Sequence, residues 1–278
     1  MHYAGGWMSV FGGKEVKRPL KAPSTLFLHG GPGASSRVER LWIKDLAHID
    51  WWDQPRPAAD DAMAALLRAV EDKLRRCADA FGGPVHLLSS SFGCELAVHL
   101  LRCMPARVSS LVMLAPVFDV PAAFAGLARA QLARTGAETL APVLSTYRQL
   151  PSRTNFWALL EVLLASRNLF DCYWGAASRE KMDAFVALLG ERQTFDFASF
   201  RSTLDDFLIP RADGPVEFRG PVTAVLGSCD PLVDPATAIP AIRLRFPEAG
   251  ILTVKTGHFP HLEVSSDMWE PEQLHRLA

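Results

Sequence analysis

The chain has 278 residues, 49% of them hydrophobic, and a formal net charge of −1. That length holds one large domain or a core with an insertion, and the apolar content excludes a disordered chain. The charge balance supplies no basic field for nucleic acid or anionic lipid, and the scattered cysteines (Cys77, Cys94, Cys103, Cys172, Cys229) fit a reducing compartment better than a disulfide framework.

The segment Met1–Gly6 reaches no long apolar core before Lys14, Glu15 and Lys17, so no secretory signal is read. No charge-free run is long enough to span a bilayer; the apolar stretch Leu111–Ala133 holds Asp119, Arg129 and two prolines. A soluble cytoplasmic protein is expected, with no nucleic-acid or membrane partner. A weak edge strand is placed near Trp7–Phe11. Ser24–Leu28 is a buried strand that runs into the loop His29-Gly30-Gly31-Pro32-Gly33. A short helix is expected over Ser36–Asp45, then a strand over Ala47–Trp52 ended by Asp53-Gln54-Pro55-Arg56-Pro57. Asp60–Ala80 reads as an amphipathic helix with the stripe Met63, Leu66, Leu67, Val70 and Leu74, stopped by Gly82-Gly83-Pro84.

Pro84–Leu88 is a short apolar strand, and Cys94, Ala97, Val98 and Leu101 recur at helical spacing after it. Between them lies Ser89-Ser90-Ser91-Phe92-Gly93, the layout of a nucleophile elbow. Such a turn needs small residues two places either side of the nucleophile. Leu87 rules out Ser89, and Leu88 with Phe92 rules out Ser90; Ser91 passes, between Ser89 and Gly93. Serine instead of glycine at position 89 is expected to add strain of about 1–3 kcal/mol.

Ser110–Ala115 is the next strand, and strands alternating with helices, most strands apolar on both faces, imply a parallel sheet covered on both sides. From Asp119 to Asp213 the pattern is helical, with Ala122–Arg134 and Ala158–Ser166 as examples and no convincing strand. The aromatics there (Phe156, Trp157, Phe170, Tyr173, Trp174, Phe185, Phe195, Phe197, Phe200) read mostly as core, a minority as cavity lining. Alternation resumes with a strand over Val222–Leu226, a helix over Pro235–Phe246, a strand over Ile251–Val254 and a final helix after Pro260.

A serine hydroxyl needs a base, and the base needs a partner that fixes its tautomer. In an open parallel sheet these groups belong on loops at strand exits. The exit after Leu226 carries Gly227-Ser228-Cys229-Asp230, and the exit after Val254 carries Thr256-Gly257-His258. The order Ser91, Asp230, His258 is that of the α/β-hydrolase fold. His261 is the alternative base. Asp119 and Asp234 are alternative acids, Asp234 reading better as a helix cap before Pro235. Cys229 reads as a small buried filler. The backbone N–H groups of Gly31 and Phe92 are candidate donors to an oxyanion, with His29, Gly30, Pro32 and Gly33 as the supporting loop.

These residues resemble the α/β-hydrolase superfamily, and within it the capped branch that includes proline iminopeptidases. His29–Gly33, Asp53-Gln54, the elbow at 89–93, the run from Gly227 to Asp234 and the run from Gly257 to Glu263 carry the resemblance. The resemblance spans the core, roughly 20–118 and 214–278, and does not cover the cap. With the helical stretch read above, the chain divides into a core of 1–118 and 214–278 and a helical cap of 119–213. The resemblance implies an α/β-hydrolase fold, a mostly parallel sheet with helices on both faces. It also implies a triad of Ser91, Asp230 and His258. Two departures alter the cleft wall: Pro55-Arg56-Pro57 replaces the usual Arg-Gly-x-Gly-x-Ser, and Ser89 replaces glycine.

The expected activity is serine hydrolysis of an ester, thioester or amide of a small, partly apolar molecule, with no metal or organic cofactor. A proline iminopeptidase-like aminopeptidase is the sharper version; it would need cap carboxylates for the substrate ammonium, with Glu138, Glu161, Glu180 and Glu191 available. A carbon–carbon bond hydrolase or a lyase is a variant on the same fold, and a non-catalytic ligand-binding protein is the reading from another class. Serine at position 91 argues against dehalogenase or epoxide-hydrolase chemistry, which wants a carboxylate there.

Overall fold

A computed structural model describes residues 24–43, 46–57, 61–175, 179–191, 193–208, 214–264 and 269–277. The strand expected near Trp7–Phe11 lies outside the described residues. Six strands, β1 (Thr25–Leu28), β2 (Ile49–Trp52), β3 (Val85–Ser90), β4 (Val108–Leu114), β5 (Val222–Gly227) and β6 (Gly250–Val254), form one sheet in the order β2-β1-β3-β4-β5-β6. Every pairing in it is parallel. The chain steps out from β1 to β2, then crosses back over β1 to β3. The strand order therefore reverses between β1 and β3, and a crevice opens there at the carboxyl ends of the strands.

The helices are α1 (Arg37–Trp42), α2 (Ala62–Phe81), α3 (Gly93–Cys103), α4 (Val120–Thr135), α5 (Leu140–Gln149), α6 (Arg153–Leu164), α7 (Arg179–Leu189), α8 (Phe197–Phe207), α9 (Pro235–Arg245), α10 (Pro260–Glu263) and α11 (Pro271–Leu277). Side chains of the inner strands alternate between two cores, as a period of two requires. Leu26, Leu87, Leu111 and Leu226 join Leu66, Val70 and Leu74 of α2 and Leu96 and Leu100 of α3 on one face. Phe27, Leu88, Val112 and Val225 join Leu262, Trp269 and Leu274 on the other. Leu67, at the margin of the α2 stripe, is only half-buried. The edge strands β2 and β6 are mostly half-buried, whereas β1 is buried throughout. The expected final helix is two: the chain turns extended at Val264, after the single turn of α10. No helix among the described residues is long and apolar enough to cross a membrane.

Between β4 and β5 the described residues hold helices and 3₁₀ turns and no strand. This helical segment has its own core of Leu127, Leu140, Leu144, Leu159, Leu163 and Leu169. Of its aromatics, Phe156, Trp174, Phe185 and Phe200 are buried, while Phe197 is 50% exposed. Side-chain caps start three of its helices: Asp119 at α4, Ser152 at α6 and Asp196 at α8.

The segment meets the strand-exit loops backbone to backbone. Asp196 N–H donates to Gly33 O (2.8 Å), and a Cβ on Gly33 would lie 2.3 Å from Asp196 O. On α4, a Cβ at Gly126 would lie 2.2 Å from Pro231 O, in the loop that follows β5. Side-chain atoms at either place would force the segment off the loop. Gly126→Ala is therefore expected to cost about 1–3 kcal/mol in urea unfolding, despite a gain of about 1 kcal/mol in helix propensity. Gly83→Ala, whose methyl would meet nothing within 4 Å, should stay within about 0.5 kcal/mol of the wild type. Equal effects at the two positions would contradict this packing.

Candidate active site

The turn from β3 to α3 is made at Ser91, whose φ is +51°. A side chain adopts that left-handed conformation at a cost of about 1–3 kcal/mol, so the surroundings must hold it. Ser91 N–H donates to Leu114 O (2.9 Å), and Ser91 O accepts from Cys94 N–H (3.1 Å). Gly93 lets α3 begin against the end of β1, since a Cβ there would lie 2.2 Å from Leu28 O. Ser89 does not carry the strain expected of it: its backbone belongs to β3, and its buried hydroxyl donates to Val112 O (3.0 Å) on β4. Cys94, beside it, is a neutral filler whose thiol burial pushes up to about 12.

The loops after β5 and β6 bring an acid and a histidine to this serine. His258 Nε2 lies 2.9 Å from Ser91 Oγ, and His258 Nδ1 lies 2.8 Å from Asp230 Oδ2. The other Asp230 oxygen accepts Leu232 N–H (2.8 Å). An ionised carboxylate only accepts, so Nδ1 carries the imidazole proton and Nε2 is free to accept the serine hydroxyl. The His258 side chain is 2% exposed and that of Asp230 0%. Tyr173 and Phe259 pack edge-on against the imidazole, each at 5.5 Å. Burial, and then the charge of Asp230, push the Tyr173 phenol up, so it stays neutral beside the pair.

The alternative residues are engaged elsewhere. Asp119 is exposed and accepts Ala122 N–H at the start of α4; Asp234 accepts Ala236 N–H at the start of α9. His261 sits among Phe27, Phe259 and Trp269, with Nε2 3.7 Å from Glu39 Oε1. Cys229 is exposed rather than buried; its N–H donates to Thr256 O between the two loops. Glu138, Glu161, Glu180 and Glu191 all lie on the exposed surface, and Glu191 pairs with Arg37 at 3.0 Å.

The loop after β1 is fixed by a buried exchange with the exit of β2. His29 Nε2 accepts Gln54 N–H (3.1 Å), Gln54 Nε2 donates to His29 O (2.7 Å), and His29 Nδ1 donates to Gly30 O (2.8 Å). Burial lowers the pKa of His29, in keeping with a neutral ring that accepts on one nitrogen and donates on the other. Asp53 accepts both the N–H and the hydroxyl of Ser36 (2.7 and 2.8 Å), closing the other side of the loop. Pro32 is buried, and Gly31 has φ +63°. Gly30 presses on the elbow: a Cβ there would lie 2.9 Å from Ser91 Cβ. Among the described residues, the N–H groups of Gly31 and Phe92 donate to no backbone acceptor, and Phe92 stands at the amino end of α3.

A family model described as alpha/beta hydrolase family matches residues 25–273. The chain belongs to the alpha/beta hydrolase family. Among solved structures it is similar to a proline iminopeptidase-related protein from Thermus thermophilus, at 23% identity and a TM-score of 0.64, covering 93% of this chain and 88% of that one. It is also similar to a 2-hydroxy-6-oxo-6-phenylhexa-2,4-dienoate hydrolase from a Rhodococcus species (17% identity, TM-score 0.54, 94% and 92% covered). A third is an epoxide hydrolase variant from Bacillus megaterium (14% identity, TM-score 0.53, 91% and 93% covered). At these identities the likeness shows the fold. No curated protein matches the sequence.

One residue of this alpha/beta hydrolase gains a role that sequence reading does not assign. Glu263, the last residue of α10, accepts Gly257 N–H on Oε1 (2.8 Å) and Gly175 N–H on Oε2 (2.9 Å). Its carboxylate thereby joins the His258 loop to the helical segment, where His258 N–H also donates to Tyr173 O (2.6 Å). The only sequence signal is a glutamate five places after the histidine; its partner near residue 175 is set by tertiary folding. Glu263→Gln puts an amide donor against one of the two N–H groups. It should cost about 1.5–3 kcal/mol in urea unfolding and speed amide exchange at Gly175 and Gly257. Unchanged stability and exchange would contradict the bridge.

Proposed function

We propose that this chain is a serine hydrolase that cleaves an ester, thioester or amide of a small, partly apolar molecule. The observation that carries the reading is the chain of contacts from Ser91 Oγ to His258 to Asp230, at 2.9 and 2.8 Å, around a buried imidazole. Ser91 Oγ attacks the substrate carbonyl while His258 Nε2 takes its proton. Asp230 keeps the proton on Nδ1 and stabilises the imidazolium that forms. The N–H groups of Gly31 and Phe92 receive the developing oxyanion, helped at Phe92 by the amino end of α3. His258 then protonates the leaving group, and water attacks the acyl-enzyme by the same steps in reverse.

In this reading the helical segment of 119–213 acts as the cap and its underside bounds the acyl pocket. Tyr173 and Phe259 against the imidazole, and Val117 and Leu232 in the core near the elbow and the acid loop, favour an apolar substrate face. The exposed positions of Glu138, Glu161, Glu180 and Glu191 favour a neutral substrate over one whose ammonium must be held, which ranks esterase or thioesterase action above aminopeptidase action.

Short- and long-chain nitrophenyl esters, acyl thioesters and proline arylamides, tested as a panel, decide this. Turnover is expected with esters or thioesters and is expected to be lost in Ser91→Ala. Asp230→Asn should lower kcat about 10⁴-fold, while Asp119→Asn leaves it close to wild type. Activity that survives Ser91→Ala, or a loss in Asp119→Asn that matches Asp230→Asn, would refute the assignment. A preference for proline arylamides would reinstate the aminopeptidase reading.

A further inference from the structure

A second cluster of chemistry-bearing side chains lies toward the carboxyl end of α3, away from Ser91. His99 and Cys103 are four residues apart on that helix, so they share a face. Glu71 faces them from α2, with Oε1 2.7 Å from His99 Nε2. One donor atom from each of Glu71, His99 and Cys103 lies within 4.8 Å of the other two. We propose that Glu71, His99 and Cys103 bind a divalent cation of the zinc class, through one carboxylate oxygen, one imidazole nitrogen and one thiolate, with solvent in the fourth position.

The donor set selects the ion. Thiolate and imidazole together suit zinc-like cations and disfavour magnesium or calcium, which take oxygen ligands. The spacing fits it too. A tetrahedral ion with bonds of about 2.0–2.3 Å holds its ligand atoms about 3.3–3.7 Å apart. The imidazole and carboxylate must part by about 1 Å or less, and the thiol must swing in by a similar amount. The backbone beneath them is rigid: Val70 and Leu74 beside Glu71, and Leu100 beside His99, are fully buried in the main core.

Access and charge point the same way. Glu71 and His99 are half-buried and Cys103 is exposed, so an ion reaches all three from solvent. His99 Nε2–H already donates to Glu71, which aims the nitrogen and the carboxylate at a shared positive particle. The nearby Arg75 is turned to Asp72. On binding, the thiol gives its proton to solvent, and His99 exchanges its Nε2 proton through solvent for one on Nδ1, so the neutral ring ligates through a free Nε2 lone pair.

Cobalt(II) titration of the reduced, full-length chain tests this without recourse to activity. A saturable thiolate-to-cobalt charge-transfer band with the intensified d–d absorption of a four-coordinate ion is expected, and zinc should displace it. The band should be lost in Cys103→Ala and in Cys103→Ser, and weakened to loss in His99→Gln and Glu71→Gln. It should persist in Cys172→Ala and Cys229→Ala. Circular dichroism establishes that each variant is folded, and the two Cys103 replacements back each other. A wild-type chain without a saturable band overturns the proposal. So does a band that survives in Cys103→Ala, disappears in Cys229→Ala, or ignores both His99→Gln and Glu71→Gln.

Discussion

The imidazole of His258 is held between two oxygens in a place that water barely reaches, and the rim of the sheet is built to keep it there. Asp230 Oδ2 fixes one ring nitrogen at 2.8 Å and Ser91 Oγ meets the other at 2.9 Å. Neither contact alone specifies an orientation. Together, with Tyr173 and Phe259 against the ring, they leave one tautomer and one plane. Low exposure strengthens both hydrogen bonds, and it also makes an unpartnered nitrogen costly. The three residues therefore form one unit, contributed by three separate strand exits.

Backbone contacts hold those exits in register. Gly93 seats the elbow against β1, Gly33 meets Asp196, and Gly126 meets Pro231. Glu263 spans Gly257 and Gly175. The helical segment thus touches the loops carrying the oxyanion candidates and the acid backbone to backbone, and the histidine loop both through backbone and through the Glu263 carboxylate. A shift of that segment would reach all three loops at once, which links its packing to the geometry at Ser91.

Much of this is legible in the chain before any coordinates. The inner strands stand out as apolar runs because both their faces are buried, and Ser91 is singled out by the bulk of Leu87, Leu88 and Phe92. The start of α9 follows from Asp234 and Pro235. What cannot be read is whatever depends on register or on tertiary neighbours. The partner of Ser89, Val112 O, lies on an adjacent strand 23 residues away. Gly126 looks like a weak point in a helix until Pro231 is seen beside it. Asp53-Gln54 marks the family resemblance in sequence, yet its work, clamping His29 and Ser36, appears only in three dimensions. The exposed positions of the four glutamates likewise depend on how the helical segment packs.

Of three adjacent serines, only Ser91 has its hydroxyl against a base. Mass-spectrometric mapping of the native chain after brief treatment with a fluorophosphonate tests that directly. The geometry predicts a single adduct on Ser91, formed far faster than in the unfolded chain, with Ser89 and Ser90 unmodified. Absence of an adduct, or an adduct on Ser89 or Ser90, would contradict it.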